Sequence, residues 1–216
     1  MQPEFWHERW QTQTIGFHQD KVHPDLECFS PRGQDGRVCR ILVPLCGKSW
    51  DVPHLAASGH QVVGVELSPL AAKAMIQEHK LQVQESQRGP FQIFHNDSLE
   101  LRVGNVFDLD ASEDFDAVWD RAALVALNPE QRVRYAALLT KLLRPGGQML
   151  LNVFEYDQDK MSGPPHSVPL DEVKTHYAEH FEIEVLREDD ILEQSPKFRE
   201  RGLDRLLGRL IHLTRR

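Results

Sequence analysis

The stretch Arg40-Ile-Leu-Val-Pro-Leu-Cys-Gly-Lys-Ser-Trp-Asp51, followed by Gly59-His-Gln-Val-Val-Gly-Val-Glu66, constrains the fold of this chain more than any other. An apolar run of strand length ends in a tight loop at Cys46-Gly47-Lys48-Ser49, and a short helix follows from Asp51 to Ser58. Gly59 stops that helix, and a second apolar run, Gln61 to Leu67, holds a carboxylate near its end. In a doubly wound α/β fold the carboxylate of Glu66 then sits at the carboxyl edge of the sheet, beside the loop after the first strand. There it accepts hydrogen bonds from two ribose hydroxyls. Gly47 precedes Glu66 by 19 positions, close to the roughly 20-residue spacing between a glycine loop and its ribose acid.

The glycine content of that loop decides which nucleoside ligand fits. A pyrophosphate requires close backbone approach through several glycines, as in Gly-x-Gly-x-x-Gly. Here Gly47 stands alone between bulky neighbours. A phosphate-binding loop needs a glycine where this chain has Leu42, so Gly47-Lys48-Ser49 does not make one. A nucleoside ligand without phosphates remains, and S-adenosyl-L-methionine is one. A nicotinamide-dependent oxidoreductase is disfavoured on the same ground.

The rest of the chain reads as alternating strands and helices. Residues 1 to about 20 read as helical, with Phe5, Trp6, Trp10 and later Phe17 as the apolar positions, and residues 30–36 form a loop of turn formers. Ser68 caps a helix that opens at Pro69 and runs to about His79. Phe91–Phe94 and Leu99–Val106 form a hairpin about Asn96-Asp97-Ser98. Asp116–Asp120 is a strand. Pro129–Leu143 is a helix capped by Asn128 and broken at Arg144-Pro-Gly-Gly147. Gln148–Phe154 is a strand, Asp157–Pro165 a loop, Leu170–Phe181 a helix and Ile183–Asp190 a strand. Leu203–Thr214 fits a strand or a helix equally. The expectation is one domain over residues 1–216, an α/β doubly wound fold with a mostly parallel sheet. The strand ending in Glu66, the Phe115-Asp-Ala-Val-Trp-Asp120 strand and the Arg144-Pro-Gly-Gly147 break before an apolar strand, in this order, resemble the S-adenosylmethionine-dependent methyltransferases of Rossmann-like type.

Composition narrows the partners. The 216 residues include 40% hydrophobic and 27% charged side chains, which suits a globular domain. The net charge of −8 offers no basic stripe for nucleic acid. No apolar run approaches the ~18 residues of a membrane span, and the amino terminus lacks a secretory core, so a cytoplasmic protein is expected. The three cysteines show no metal pairing and the eleven histidines are scattered singly, so no metal is expected.

Three motifs in order, Leu42-Val-Pro-Leu-Cys-Gly-Lys-Ser49, Trp119-Asp-Arg-Ala-Ala-Leu-Val-Ala-Leu-Asn-Pro129 and Gly163-Pro-Pro165, resemble the thiopurine S-methyltransferase family. The segment from Trp6 and Trp10 to Gly16-Phe17-His18 is similar to its amino-terminal cofactor-covering segment, here residues 1–25. The resemblance implies a monomer that uses S-adenosyl-L-methionine to methylate the sulfur of thiopurines and aromatic thiols. A preference for selenium or tellurium species, or for another small acceptor, is the alternative. It implies that Trp10, Leu45, Gly47, Asn105, Val106 and Arg121 join Glu66 around the cofactor. It further implies that Phe17, Arg121, Pro164 and Pro165 face the acceptor. No catalytic nucleophile is expected, because an acidic thiol ionises by itself near neutral pH, and Cys46 is read as a small buried thiol.

Overall fold

The computed structural model describes residues 3–29, 31 and 38–216. The turn-rich stretch expected at 30–36 lies outside the described residues apart from Pro31. The chain forms two compact units, Met1–Trp119 and Asp120–Arg216.

The first unit opens with helix α1 (Pro3–Gln11), shorter than the aromatic pattern to Phe17 suggested. Its end is sealed locally. Gln13 takes a left-handed backbone (φ 55°) and its Nε2 donates to the Trp10 carbonyl at 3.0 Å. Strand β1 (Arg40–Pro44), helix α2 (Asp51–Ala57), strand β2 (Gln61–Glu66) and helix α3 (Pro69–Glu78) follow in the expected order. Ser68 caps α3 by accepting from the Ala71 amide at 3.4 Å. Then come β3 (Gln84–Arg88), β4 (Phe91–His95), β5 (Leu99–Val103) and β6 (Phe115–Arg121), whose last two residues fall in the second unit. The strand order is β3-β4-β5-β2-β1-β6.

The ladders of β1 with β2, β1 with β6 and β2 with β5 are parallel, while β3–β4 and β4–β5 are antiparallel. The mostly parallel expectation therefore describes the centre of this sheet, and the hairpin supplies its antiparallel flank. Strand β3 is an addition to the sequence reading. All five of its residues are exposed and none is apolar, so no hydrophobic period marks it. Strand β5 stops at Val103, three residues before the expected end. The Gly104 amide donates to the Glu66 carbonyl at 2.9 Å, and Asn105 caps a 3-10 turn at Val106–Asp108.

Fully buried Ile41, Leu42, Met75, Ile93, Leu101, Phe115 and Trp119 form the core of this unit. Buried Asp51, the first residue of α2, links three segments. Its carboxylate accepts from the Trp119 indole N–H at 2.9 Å and from the His23 amide at 2.8 Å, which anchors the chain leading out of the amino-terminal segment.

The second unit contains helix α4 (Pro129–Leu142), strand β7 (Leu143–Glu155), helix α5 (Leu170–Tyr177), strand β8 (Phe181–Asp190), helix α6 (Pro196–Glu200) and strand β9 (Leu207–Arg215). Asn128 and Gln131 form a reciprocal capping box at the start of α4. Buried Arg132 joins α4 to α5 by donating to both carboxylate oxygens of Glu172 at 2.6 and 3.2 Å. Strand β9 pairs antiparallel with both β7 and β8, so the ambiguous Leu203–Thr214 stretch is a strand from Leu207 on, while Leu203–Leu206 precede it without regular structure. Its ladder with β7 begins at Gln148, just after the Pro-Gly-Gly segment, although the extended backbone of β7 already starts at Leu143. Helix α5 ends four residues before Phe181. That ring is buried at the start of β8 instead, edge-on to Tyr177 at 5.4 Å.

Candidate functional site

Strand β1 lies between β2 and β6, so successive connections leave it in opposite directions and its carboxyl end is a topological switch point, where open α/β sheets bind ligands. The loop there is shaped by two left-handed residues. Leu45 has φ 48° and Gly47 φ 57°, so the backbone turns sharply on either side of Cys46. The Cys46 amide donates to the Val65 carbonyl at 3.0 Å, which holds the loop against the end of β2. Lys48 reaches Glu78 on α3 at 2.5 Å and braces the loop from the other side.

Glu66, the last residue of β2, is only 6% exposed. One carboxylate oxygen accepts from the Gly47 amide at 2.8 Å, and the other accepts from the Ser68 amide at 2.7 Å. A carboxylate has about four lone-pair positions, so this grip leaves acceptor capacity for a vicinal diol. Burial pushes the pKa of this carboxyl up to about 7, against the opposing pull of the Ser68, Gly47 and Leu67 amides. The residues present therefore fit an adenosine sugar, and the single-glycine loop beside them presents no phosphate cradle.

Trp10 closes over the same loop. A Cβ placed on Gly47 would lie 3.1 Å from its indole ring, so the absence of a side chain at 47 is what lets the ring approach. Trp10 is 4% exposed. The Phe17 ring meets it edge-on at 5.7 Å. Val106 is buried and Asn105 exposed, both just past the carboxyl end of β5. Gly104 before them is required by packing, since a Cβ there would come within 2.6 Å of the Phe91 ring.

The structure thus gathers Trp10, Phe17, Leu45, Gly47, Glu66, Asn105 and Val106 within one unit. Arg121, Pro164 and Pro165 belong to the other. Arg121 is half-buried at the end of β6 and precedes Ala122, whose φ is 64°. The carboxylate of its neighbour Asp120, fully buried, accepts from the Tyr135 hydroxyl at 2.7 Å and the Leu124 amide at 3.1 Å. Pro164 and Pro165 both follow cis peptide bonds, and the Pro165 carbonyl accepts from the Tyr156 hydroxyl at 2.6 Å.

Cys46 is buried, and burial, followed by the nearby Glu66 carboxylate, pushes its thiol well above the ordinary value. It stays protonated at neutral pH. Gly64 on β2 makes the space for its sulfur, 3.1 Å from where a Cβ would stand. Two contributions escaped the sequence reading. Ser68 was legible as a helix cap, but its amide also grips Glu66. Trp6 was legible as a helix-face aromatic, but it also packs on Phe17. No motif marks either one, because both depend on which chain segments fold together.

The family model for thiopurine S-methyltransferase matches residues 1–216. The chain belongs to the thiopurine S-methyltransferase family. A thiopurine S-methyltransferase of Pseudomonas entomophila (strain L48) is 43% identical over 217 residues, covering 100% of both chains. One from Methylococcus capsulatus (strain ATCC 33009 / NCIMB 11132 / Bath) is 43% identical over 209 residues, covering 95% of this chain and 94% of its own. Among solved structures, the 1,6-didemethyltoxoflavin-N1-methyltransferase of Burkholderia thailandensis, with bound S-adenosylhomocysteine, superimposes with a TM-score of 0.65 at 18% identity, covering 99% of this chain and 86% of that one. A TehB-like S-adenosylmethionine-dependent methyltransferase of Corynebacterium glutamicum gives 0.58 at 16% identity, covering 99% and 98%. These structures share the Rossmann-like methyltransferase fold. The chemistry of the family is methyl transfer, and its cofactor is S-adenosyl-L-methionine. Among the described residues no helix is long and apolar enough to cross a membrane, and no cluster of three or more His, Cys, Asp or Glu side chains is placed to hold a metal.

Proposed function

We propose that this protein transfers a methyl group from S-adenosyl-L-methionine to the sulfur of thiopurines and aromatic thiols. The observation that carries the reading is the Glu66 carboxylate, buried at a strand tip and gripped by the Gly47 and Ser68 amides, beside a loop on whose Gly47 the Trp10 ring packs. The family match over the whole chain supports the acceptor class. When bound, the cofactor supplies a sulfonium-bound methyl group for in-line displacement. Glu66 holds the ribose hydroxyls. The Leu45–Gly47 backbone lines the cofactor's path, Asn105 and Val106 border the base, and the Trp10 face favours the nearby cation. Phe17 offers a ring on which a flat acceptor stacks. Arg121, Pro164 and Pro165 enter through the family resemblance, Arg121 at the cofactor and beside an anionic acceptor, the prolines beside the acceptor.

No side chain has to form a covalent intermediate. The acceptor arrives as a thiolate, and excluding water and aligning the reacting groups supplies much of the acceleration. Cys46, neutral and packed against Gly64, has no part in bond making. Replacing it with serine is expected to leave kcat/KM for an aromatic thiol within about threefold, since the change substitutes one small buried group for another. A loss of several orders of magnitude with an unchanged fold would show that the sulfur takes part. The function itself is tested with methyl-labelled S-adenosylmethionine and three acceptors: a thiopurine, an aromatic thiol and selenite or tellurite. Labelled thioether from the first two supports the proposal. Label entering only the metalloid products refutes the acceptor class while leaving the cofactor site standing.

A further inference from the structure

The aromatic side chains of the amino-terminal segment form a connected series. Phe5 meets Trp6 at 5.2 Å and 87°, Trp6 meets Phe17 at 5.7 Å and 81°, and Phe17 meets Trp10 at 5.7 Å and 78°. Trp6 and Trp10 lie four residues apart, on one face of α1. Phe17 therefore stands between two indoles, each nearly perpendicular to it, in the edge-to-face arrangement that aromatic quadrupoles favour. Phe17 lies on irregular backbone beyond the helix and is 36% exposed. A half-exposed phenylalanine on such a segment has rotamer freedom to lose before it can serve as a stacking platform. The two indoles restrict that freedom before any acceptor arrives.

The two indoles are not equivalent. Trp10 is buried and packed on Gly47, so it belongs to the cofactor loop as well as to Phe17. Trp6 is half-buried, and its ring partners are Phe5 and Phe17.

We propose that Trp6 is a positioning residue for acceptor recognition, fixing the ring plane of Phe17 and so selecting flat aromatic acceptors, without itself touching the cofactor. The proposal rests on the reading of Phe17 as the acceptor platform. It makes α1 a shared support, with Trp10 serving the methyl donor and Trp6 serving the acceptor one turn earlier. Losing Trp6 weakens acceptor binding and leaves the aligned complex, once formed, equally reactive.

The test uses the full chain with Trp6→Ala, Trp6→Phe and Phe17→Ala. It measures kcat and KM for an aromatic thiol at saturating S-adenosylmethionine, and the Kd of S-adenosylhomocysteine by calorimetry. Trp6→Ala is expected to raise KM about tenfold, the scale of one lost aromatic brace with its ordering effect. In the same variant kcat and the S-adenosylhomocysteine Kd stay within about twofold. Trp6→Phe, which keeps a ring in place, recovers KM to within about threefold. An unchanged KM in Trp6→Ala overturns the proposal. So does an equal loss in KM and in S-adenosylhomocysteine affinity, which is the signature of a merely structural tryptophan. Phe17→Ala separates the two failures. If it raises KM while Trp6→Ala does not, the brace alone is wrong; if neither raises KM, the acceptor platform is wrong as well.

Discussion

Replacing Glu66 with alanine is expected to weaken S-adenosylhomocysteine binding by about thirtyfold, or ~2 kcal/mol, at pH 8. In the proposed site the variant would lose the charge-assisted acceptor for the ribose hydroxyls, and it leaves the Gly47 and Ser68 amides without their partner. The wild-type affinity should also depend on pH in a way the variant does not share. Burial raises the Glu66 pKa to about 7 in the free protein. Hydroxyl donors favour the ionised form, so a ligand must displace the proton below that value. Between pH 8 and pH 6 the wild-type Kd should rise about tenfold, with proton release accompanying binding near pH 7, while Glu66→Ala stays flat. The linkage to stability has the opposite sense. A carboxyl whose folded-state pKa is raised favours the fold fully below its ordinary value near 4.5. That contribution disappears as pH rises through about 7. The free protein therefore gives up stability over this window, at the position where the ligand gains affinity. Calorimetry in buffers of different ionisation heat, at pH 6, 7 and 8, measures both effects. A wild-type Kd that is flat over this range would remove Glu66 from the ribose site.

Much of this arrangement was legible in the chain because the signals were local. Ser68-Pro69 and Asn128-Pro129 announce helix starts by capping chemistry. The apolar runs ending at Pro44 and Glu66 announce buried parallel strands. Elements defined by distant partners were harder to see. Strand β3 has no apolar residue to reveal it and exists because β4 offers an open edge. Strand β9 lies between β7 and β8, and its apolar residues, interrupted by Gly208, Arg209 and His212, follow no clean period that separates strand from helix. Phe181 fits a helix end by composition, but its ring is buried as the first residue of β8. At the candidate site the acid and its glycine could be read from spacing. The two amides that grip Glu66, the burial that raises its pKa and the placing of Phe17 between two indoles arise only from tertiary packing.

Replacing Glu113 with alanine is expected to destabilise the fold by about 3 kcal/mol, the scale of a broken buried ion pair. Arg102 on β5 is 2% exposed, and its guanidinium cannot lose its charge. It donates to both oxygens of Glu113 at 2.6 and 2.9 Å and to Glu100 at 2.6 Å, while Arg40 donates to Glu113 at 2.6 Å. Burial by itself would raise the Glu113 carboxyl, but the hydrogen bonds and charges of Arg102 and Arg40 hold it at about 2. With its pKa depressed, Glu113 contributes stability that is present above about 4.5 and lost as pH falls through about 2. Removing Glu113 leaves Arg102 buried with Glu100 alone. The double variant Arg102→Met, Glu113→Ala should then be more stable than Glu113→Ala itself, because the stranded charge is gone and the half-exposed Arg40 and Glu100 can turn to water. Urea denaturation of the wild type and three variants at pH 7 gives the cycle. A cost for Glu113→Ala below ~0.5 kcal/mol, typical of an exposed pair, or a double variant weaker than both singles, would contradict this account. The consequence reaches the candidate site through the backbone. Arg102 stands two residues before Gly104, whose amide donates to the Glu66 carbonyl. Loosening β5 at Arg102 should therefore weaken S-adenosylhomocysteine binding in Glu113→Ala even where that variant remains fully folded, and the double variant should recover part of the affinity together with the stability.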